Sequence, residues 1–358
     1  MQYMGDPLQN CLKAIIIRYN IKLLNVFIMV SIICPVYNES KYISKCIDAL
    51  LEQDYSSEDL EILFVDGMST DTTRITILEK QKLYNHIRLI DNPYKTVPYA
   101  LNIGIENARG EIIVRIDAHA SYPSNYISTL IHYLQTLPHA QNVGTACITQ
   151  TLGTTDRAKA IVAVLSSRLG VGNSTFRLGT QSIKEVDTVP FGCWKKQTLK
   201  DVGMFNQQLI RNQDIELNKR ILNAGGKIYL IPDTYCVYYA RETYTKLARN
   251  NYENGKWNIL TLYYTHNCHS LSIRHFIPLV FVLSLLIPTI GMLANPNIGL
   301  VSGISLISYS ILVYIVSAQI ALQQKISWLA TIATFGILHL SYGIGSLVGI
   351  LTLPFLKR

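Results

Sequence analysis

Glu111-Ile112-Ile113-Val114-Arg115-Ile116-Asp117-Ala118-His119-Ala120 is the stretch from which the rest of the chain can be read. Three consecutive apolar residues followed by alternation mark a buried β-strand. Asp117 and His119 follow at a spacing of i and i+2, which on an extended backbone puts both side chains on one face. A carboxylate and an imidazole converging on one point suit Mg2+ or Mn2+. Two polar residues meeting water at a strand end would account for the same pattern, so the flanking sequence has to decide.

Upstream, from Met29, strands alternate with helices. Val30–Cys34 is a short apolar run closed by Pro35, and Ser40 stands where it can cap a helix carrying Ile43, Ile47, Leu50 and Leu51. Leu60–Val65 is a second strand, delivering Asp66-Gly67-Met68-Ser69-Thr70-Asp71. A helix begins near Asp71 or Thr72, Ile87–Ile90 is a third strand, and residues 97–108 form a helix before Gly110. Such alternation implies an α/β fold with a mostly parallel, Rossmann-like sheet, in which ligands bind beyond the carboxyl ends of the strands. Three of those ends carry acids or hydrogen-bonding groups. Neither GxGxxG nor GxxxxGK[ST] occurs, which argues against a dinucleotide oxidoreductase and a P-loop NTPase.

The run from Val30 to Glu39, the run from Val65 to Asp71, and Asp117-Ala118-His119 together resemble the nucleotide-sugar half of the family 2 glycosyltransferases, with Asp-Ala-His-Ala similar to the succinoglycan-type exopolysaccharide branch. The resemblance extends to about Tyr264. It implies a GT-A nucleotide-diphospho-sugar transferase fold, with Pro35, Tyr37 and Glu39 lining a nucleoside pocket and Asp66 meeting the uracil or ribose. Asp117 and His119 would hold a divalent metal, Mg2+ or Mn2+, on the donor diphosphate. His119 departs from the more usual Asp-x-Asp.

Residues 142–149 read as another strand, and Val186–Trp194 as a strand running into a Gly-bearing turn. The resemblance places the acceptor near Gly192 and Trp194; a core tryptophan beneath a loop is the alternative. Ile215, Leu217, Ile221 and Leu222 form a helical stripe ended by Gly225-Gly226, so Asp214 lies in the first turn, where the helix dipole favours its ionised form. By position it is an ordinary N-terminal helix acid; by resemblance, with Gln213 where the family carries an acid, it is the general base of an inverting transfer. Lys256-Trp257 resembles the end of the family's Gln-x-x-Arg-Trp signature near the acceptor, and equally suits an amphipathic interfacial helix.

Composition is split. Only 16% of the 358 residues are charged, and from Phe276 to Leu356 Lys325 is the one charged residue. Phe276–Ala294, Ile298–Gln324 and Ile326–Leu356 are apolar runs of spanning length, the last with Gly343, Gly345 and Gly349 where it can tilt or break. Arg274, His275 and Lys325 place the catalytic part on the cytoplasmic side of an inner, multi-pass membrane location. The seven cysteines show no CxxC pair, so neither a disulfide framework nor zinc follows. The net charge of +8 is dispersed, which suits an anionic substrate or lipid surface and gives no nucleic-acid patch.

The expected organisation is an extension at 1–28, a catalytic domain at 29–265 and a transmembrane region at 266–358. The expected activity is sugar transfer from a nucleotide sugar to a lipid-linked saccharide. Direct transfer to a polyprenyl phosphate, or a non-catalytic nucleotide-sugar-binding membrane partner, remain as alternatives. Removal of residues 1–28 is expected to leave a folded, active protein; a truncated chain that loses its thermal transition would refute this boundary.

Overall fold

The computed structural model describes residues 28–267 and 271–356. Nearly all of the expected extension at 1–28 lies outside the described residues. In chain order the main elements are β1 (Val30–Val36), α1 (Ile43–Leu51), β2 (Leu60–Asp66), α2 (Thr73–Leu83), β3 (Ile87–Asp91), α3 (Val97–Asn107), β4 (Ile112–Arg115), β5 (Ala120–Ser121), α4 (Tyr126–Thr136) and β6 (Ala140–Gln150). Then come α5 (Asp156–Leu165), two single helical turns, β7 (Lys184–Glu185), β8 (Cys193–Lys195), α6 (Lys196–Asp201), α7 (Gln213–Asn223), β9 (Lys227–Tyr239), α8 (Tyr244–Thr265), α9 (Ile277–Gly291), α10 (Gly299–Gln324) and α11 (Trp328–Thr352).

The chain packs as two units. The first comprises residues up to Ile148 together with Gly179–Tyr238; the second comprises Thr149–Leu178 and everything from Tyr239.

In the first unit the strands run in the order β3-β2-β1-β4-β8-β6-β9-β5, with β7 beside β9. β3, β2, β1 and β4 are mutually parallel. Every residue of β2 is buried, as expected for a strand flanked by parallel neighbours and covered on both faces. Beyond β4 the sheet turns antiparallel, because β8 returns against it with Trp194 opposite Ile113. The "mostly parallel" expectation thus holds for half the sheet. The stretch Val186–Gly192 is not a strand, and only Cys193–Lys195 pairs.

Two polar features set the strand ends. Glu61 is buried in β2 yet fully engaged: it accepts from Ser31 Oγ (2.6 Å), Arg109 N (2.5 Å) and Arg88 Nη1 (3.0 Å). Burial would raise its pKa, but these donors hold it below the usual carboxylate range. Gly110 is required beside it, since a Cβ there would lie 2.6 Å from Ser31 N. At the end of α7, Gly225 takes φ +83° and Gly226 N donates to Ile221 O at 3.1 Å, the helix stop expected from the paired glycines.

Among the described residues the second unit holds three helices long and apolar enough to cross a membrane, Ile273–Gly291, Pro296–Gln324 and Trp328–Phe355. Ile287, Ile290, Leu300 and Ile304 are among many large apolar side chains left exposed on them. The last helix does not break at its glycines. Those glycines are a seam instead: a Cβ on Gly345 would lie 2.0 Å from Tyr252 O, and one on Gly343 would lie 2.2 Å from Pro278 O. α8 contributes Gly255 to the same seam, and Ser346 Oγ donates to Gly255 O at 3.1 Å. α5 packs through Ala163 and Val164 against Phe335, Leu338, Val313 and Ile320. His339 lies between Tyr309 Oη and Leu169 O, each 3.0 Å away. Small residues that let backbones meet are the common device where apolar burial cannot drive helix association.

Gly345→Ala is therefore expected to force α8 and α11 apart, at a cost of about 1–3 kcal/mol, and to lower the thermal midpoint in detergent. Gly336, whose Cβ position meets nothing within 4 Å, supplies the control, and Gly336→Ala should leave the midpoint unchanged.

Candidate active site

Because β1, β2 and β4 are adjacent and parallel, their carboxyl ends lie along one sheet edge, and the loops that follow are tied together by short hydrogen bonds. Asn38, at φ +54°, donates its N–H to Ser69 Oγ (2.8 Å) and accepts from Thr70 N through Oδ1 (2.8 Å). Glu39 N donates to Thr73 Oγ1 at 2.8 Å. Ser40 does not cap α1; its N–H instead donates to Asp71 Oδ2 (3.1 Å), while Asp71 Oδ1 accepts from Thr73 N (3.0 Å). Asp71 thus clamps the β1 loop to the start of α2. Its slight desolvation would raise its pKa, but the hydrogen bonds from Thr73 and Ser40 outweigh that and hold it at about 2.

Asp66 lies beneath this clamp. Its carboxylate is fully buried and accepts from Ser69 N (3.0 Å), Ser69 Oγ (2.5 Å) and Arg74 Nη1 (2.6 Å), with Arg74 also on Asp91 (2.7 Å). The side chain expected to face a nucleoside therefore forms the floor of the loop. Pro35 is partly buried above it. Tyr37 is 48% exposed and lies against Gly67, where a Cβ would come within 3.3 Å of its ring.

β4 ends at Arg115, two residues before Asp117, and Asp117–Ala120 is a turn in which Ala120 N donates to Asp117 O at 3.2 Å. Same-face projection from an extended strand therefore does not apply to Asp117 and His119. The turn arises because β5 leaves to pair with β9. The Tyr122 hydroxyl accepts from Asp117 N at 2.9 Å. His119 is oriented from the β1 loop: its Nδ1 lies 3.2 Å from Glu39 Oε1, with Tyr42 and Tyr238 edge-on at 6.4 Å. A carboxylate beside Nδ1 accepts a hydrogen bond from that nitrogen's N–H and so fixes the ring's tautomer, a common support for a metal-facing imidazole.

The residue that joins the site is Arg115. Its side chain is 7% exposed; Nε and Nη2 reach Asp117 Oδ1 at 3.3 and 3.2 Å, while Nη1 donates to Asp214 Oδ1. Asp214 stands in the first turn of α7, entered through Asn212 at φ +63°. One guanidinium thus brings together two carboxylates from opposite ends of the domain. Burial raises the Asp214 pKa most; Arg115 pulls it down and the Asp117 charge pushes it up, leaving it raised. Burial alone would lower the Arg115 pKa, but Asp214 and Asp117 more than reverse this. The sequence signal for Arg115 is a charge inside an otherwise apolar strand.

Gly192 and Trp194 lie behind Arg115. Gly192, at φ +86°, accepts from Arg115 N through its carbonyl at 3.1 Å. Trp194 is only 2% exposed and packs edge-on to Phe205 in the core, so its ring is not offered to an acceptor. Lys256 and Trp257 lie on α8 in the second unit, with Trp257 stacked on Tyr264.

Among the described residues no three His, Cys, Asp or Glu side chains are grouped to hold a metal ion. The donor set of Asp117 and His119 is nevertheless the oxygen–nitrogen chemistry that Mn2+ or Mg2+ accepts.

Comparison with known proteins agrees with this architecture. Residues 31–189 match the model of Glycosyl transferase family 2. A Methanococcus voltae protein named dolichyl N-acetyl-alpha-D-glucosaminyl phosphate 3-beta-D-2,3-diacetamido-2,3-dideoxy-beta-D-glucuronosyltransferase is 29% identical over 74% of this chain and 87% of its own length. Succinoglycan biosynthesis protein ExoA of Rhizobium meliloti (strain 1021) is 28% identical over 59% of this chain and 63% of its own. The mannosyltransferase PcManGT from Pyrobaculum calidifontis, solved with GDP-Man and Mn2+, superposes with a TM-score of 0.58 over 94% of both chains at 18% identity, a likeness of fold.

A depressed carboxylate pKa stabilises the fold above the ordinary value of about 3.9, and that contribution is lost as pH falls through the native value. Asp71→Asn is therefore expected to lower the thermal midpoint at pH 7. The gap from the parent protein should narrow below about pH 4 as Asp71 protonates. A gap independent of pH would show that Asp71 acts through its shape alone.

Proposed function

We propose, from the premise that residues 31–189 form a family 2 glycosyltransferase domain, that this chain is a membrane-anchored inverting transferase moving a sugar from a nucleotide diphosphate, most simply UDP, to a lipid-linked saccharide at the cytoplasmic face. The observation that carries the proposal is the single Arg115 guanidinium holding Asp117 and Asp214 in one site. The name of the Methanococcus voltae relative, whose acceptor is a sugar already on dolichyl phosphate, supports a lipid-linked saccharide over a bare polyprenyl phosphate. The three apolar helices suit an acceptor confined to a membrane.

In this mechanism Tyr37 and Pro35 receive the nucleoside, with Asp66 keeping the loop beneath them in shape and Glu39 orienting His119. Asp117 and His119 hold the divalent cation, which when bound screens the charge growing on the leaving diphosphate. Asp214 accepts the proton of the acceptor hydroxyl as its oxygen attacks the anomeric carbon in line. The carbon–oxygen bond to the diphosphate breaks on the opposite face, so configuration inverts without a covalent intermediate. The Gly192 turn is assigned to the acceptor side, with the buried Trp194 supporting that turn from within the core.

The full chain in detergent, supplied with nucleotide sugars, Mn2+ and short lipid-linked acceptors, tests this. Asp214→Asn should abolish transfer while nucleotide binding by thermal shift survives; equal loss of binding would make Asp214 structural. Since Asp214 must be ionised and its pKa is raised, activity should fall as pH drops through a value above about 3.9.

A further inference from the structure

The Arg115 cluster is built more firmly than a pair of site carboxylates requires. Arg115 reaches Asp117 through Nε and Nη2 and Asp214 through Nη1, so its planar fork is divided between the two. The guanidinium carbon lies 5.9 Å from the Phe191 ring centroid. Phe191 takes φ +61° and Gly192 φ +86°, two consecutive residues in the left-handed region. Only Gly192 can lack a side chain where Trp194 and Asn142 crowd it: a Cβ there would lie 2.3 Å from the Trp194 ring and 2.7 Å from Asn142 Oδ1. That close approach sets the Gly192 carbonyl on Arg115 N at 3.1 Å. Trp194, Gly192 and Phe191 thus form a seat for one arginine.

We propose that Arg115 is the positioning residue of this site: its guanidinium holds the proton-accepting carboxylate of Asp214 at a fixed distance from the donor-side carboxylate of Asp117. The proposal rests on the reading of Asp214 as base. One cation against two carboxylates leaves the triad with an excess negative charge when both are ionised, the sign that suits an incoming cation. Lysine cannot replace the fork, because an ammonium is a point charge without a planar set of donors. The role extends to the turn behind: Gly192 and Trp194 act on the reaction through Arg115.

The experiment compares Arg115→Ala, Arg115→Lys and Asp214→Asn in the full chain, reading kcat, donor KM, thermal midpoint and response to added guanidinium. A misplaced base lowers kcat about a hundredfold. Arg115→Ala should show that loss with donor KM changed less than about threefold, and guanidinium, but not methylammonium, should restore about tenfold. Arg115→Lys should stay as low as the alanine variant. Parent-like kcat in Arg115→Lys, or a folded Arg115→Ala that guanidinium does not restore, overturns the proposal. If Arg115→Ala does not fold, Arg115→Lys decides: reduced kcat at unchanged donor KM supports it, and parent-like kcat ends it. Transfer that survives in Asp214→Asn removes the base reading instead, whatever the arginine variants do.

Discussion

A buried guanidinium between two carboxylates is the constraint on which the catalytic half depends. Removing one partner from such a group costs about 3–5 kcal/mol, because the remaining charges are left without compensation in a poorly hydrated place. Arg115 reaches its partners only because β4 delivers it at the sheet edge, α7 brings Asp214 across, and the turn after β4 folds Asp117 back. The same burial that makes the group costly to disrupt raises the Asp214 pKa.

The donor side is stabilised differently, by hydrogen bonds of loop to loop rather than by charge in the interior. Asn38, Ser69, Asp71 and Thr73 bind the ends of β1 and β2 to each other. Asp66 supports them from below through Ser69 and Arg74. A loop tied at this many points is held in shape before any ligand arrives, which lowers the ordering cost of binding. Asp66, which the resemblance to nucleotide-sugar transferases assigns to the nucleoside, has its carboxylate engaged by Ser69 and Arg74 within the protein.

The second unit follows other physics. Its apolar helices pair through glycine and serine contacts at backbone distance. Gly343, Gly345 and Gly349, which in sequence suggest a break, belong to an unbroken helix. A glycine lowers helix propensity, but a neighbouring backbone that needs the vacant Cβ position recovers more than that loss. α8 belongs to this unit for the same reason, despite its mixture of lysine, arginine and tyrosine.

The sequence by itself determined the strand–helix alternation, the acids after β1, β2 and β4, the place of Asp214 in the first turn of α7 and the three apolar spans. Each of these is a local pattern of periodicity, capping or hydropathy. Tertiary structure alone decided what required distant residues to meet: the antiparallel return of β8, the turn at Asp117, the burial of Asp66 and Trp194, and the Arg115 bridge. The last is the clearest case, since the identity of an arginine in a strand says nothing of which carboxylate will lie opposite, and only the folded sheet brings residues 115 and 214 within reach of one hydrogen bond.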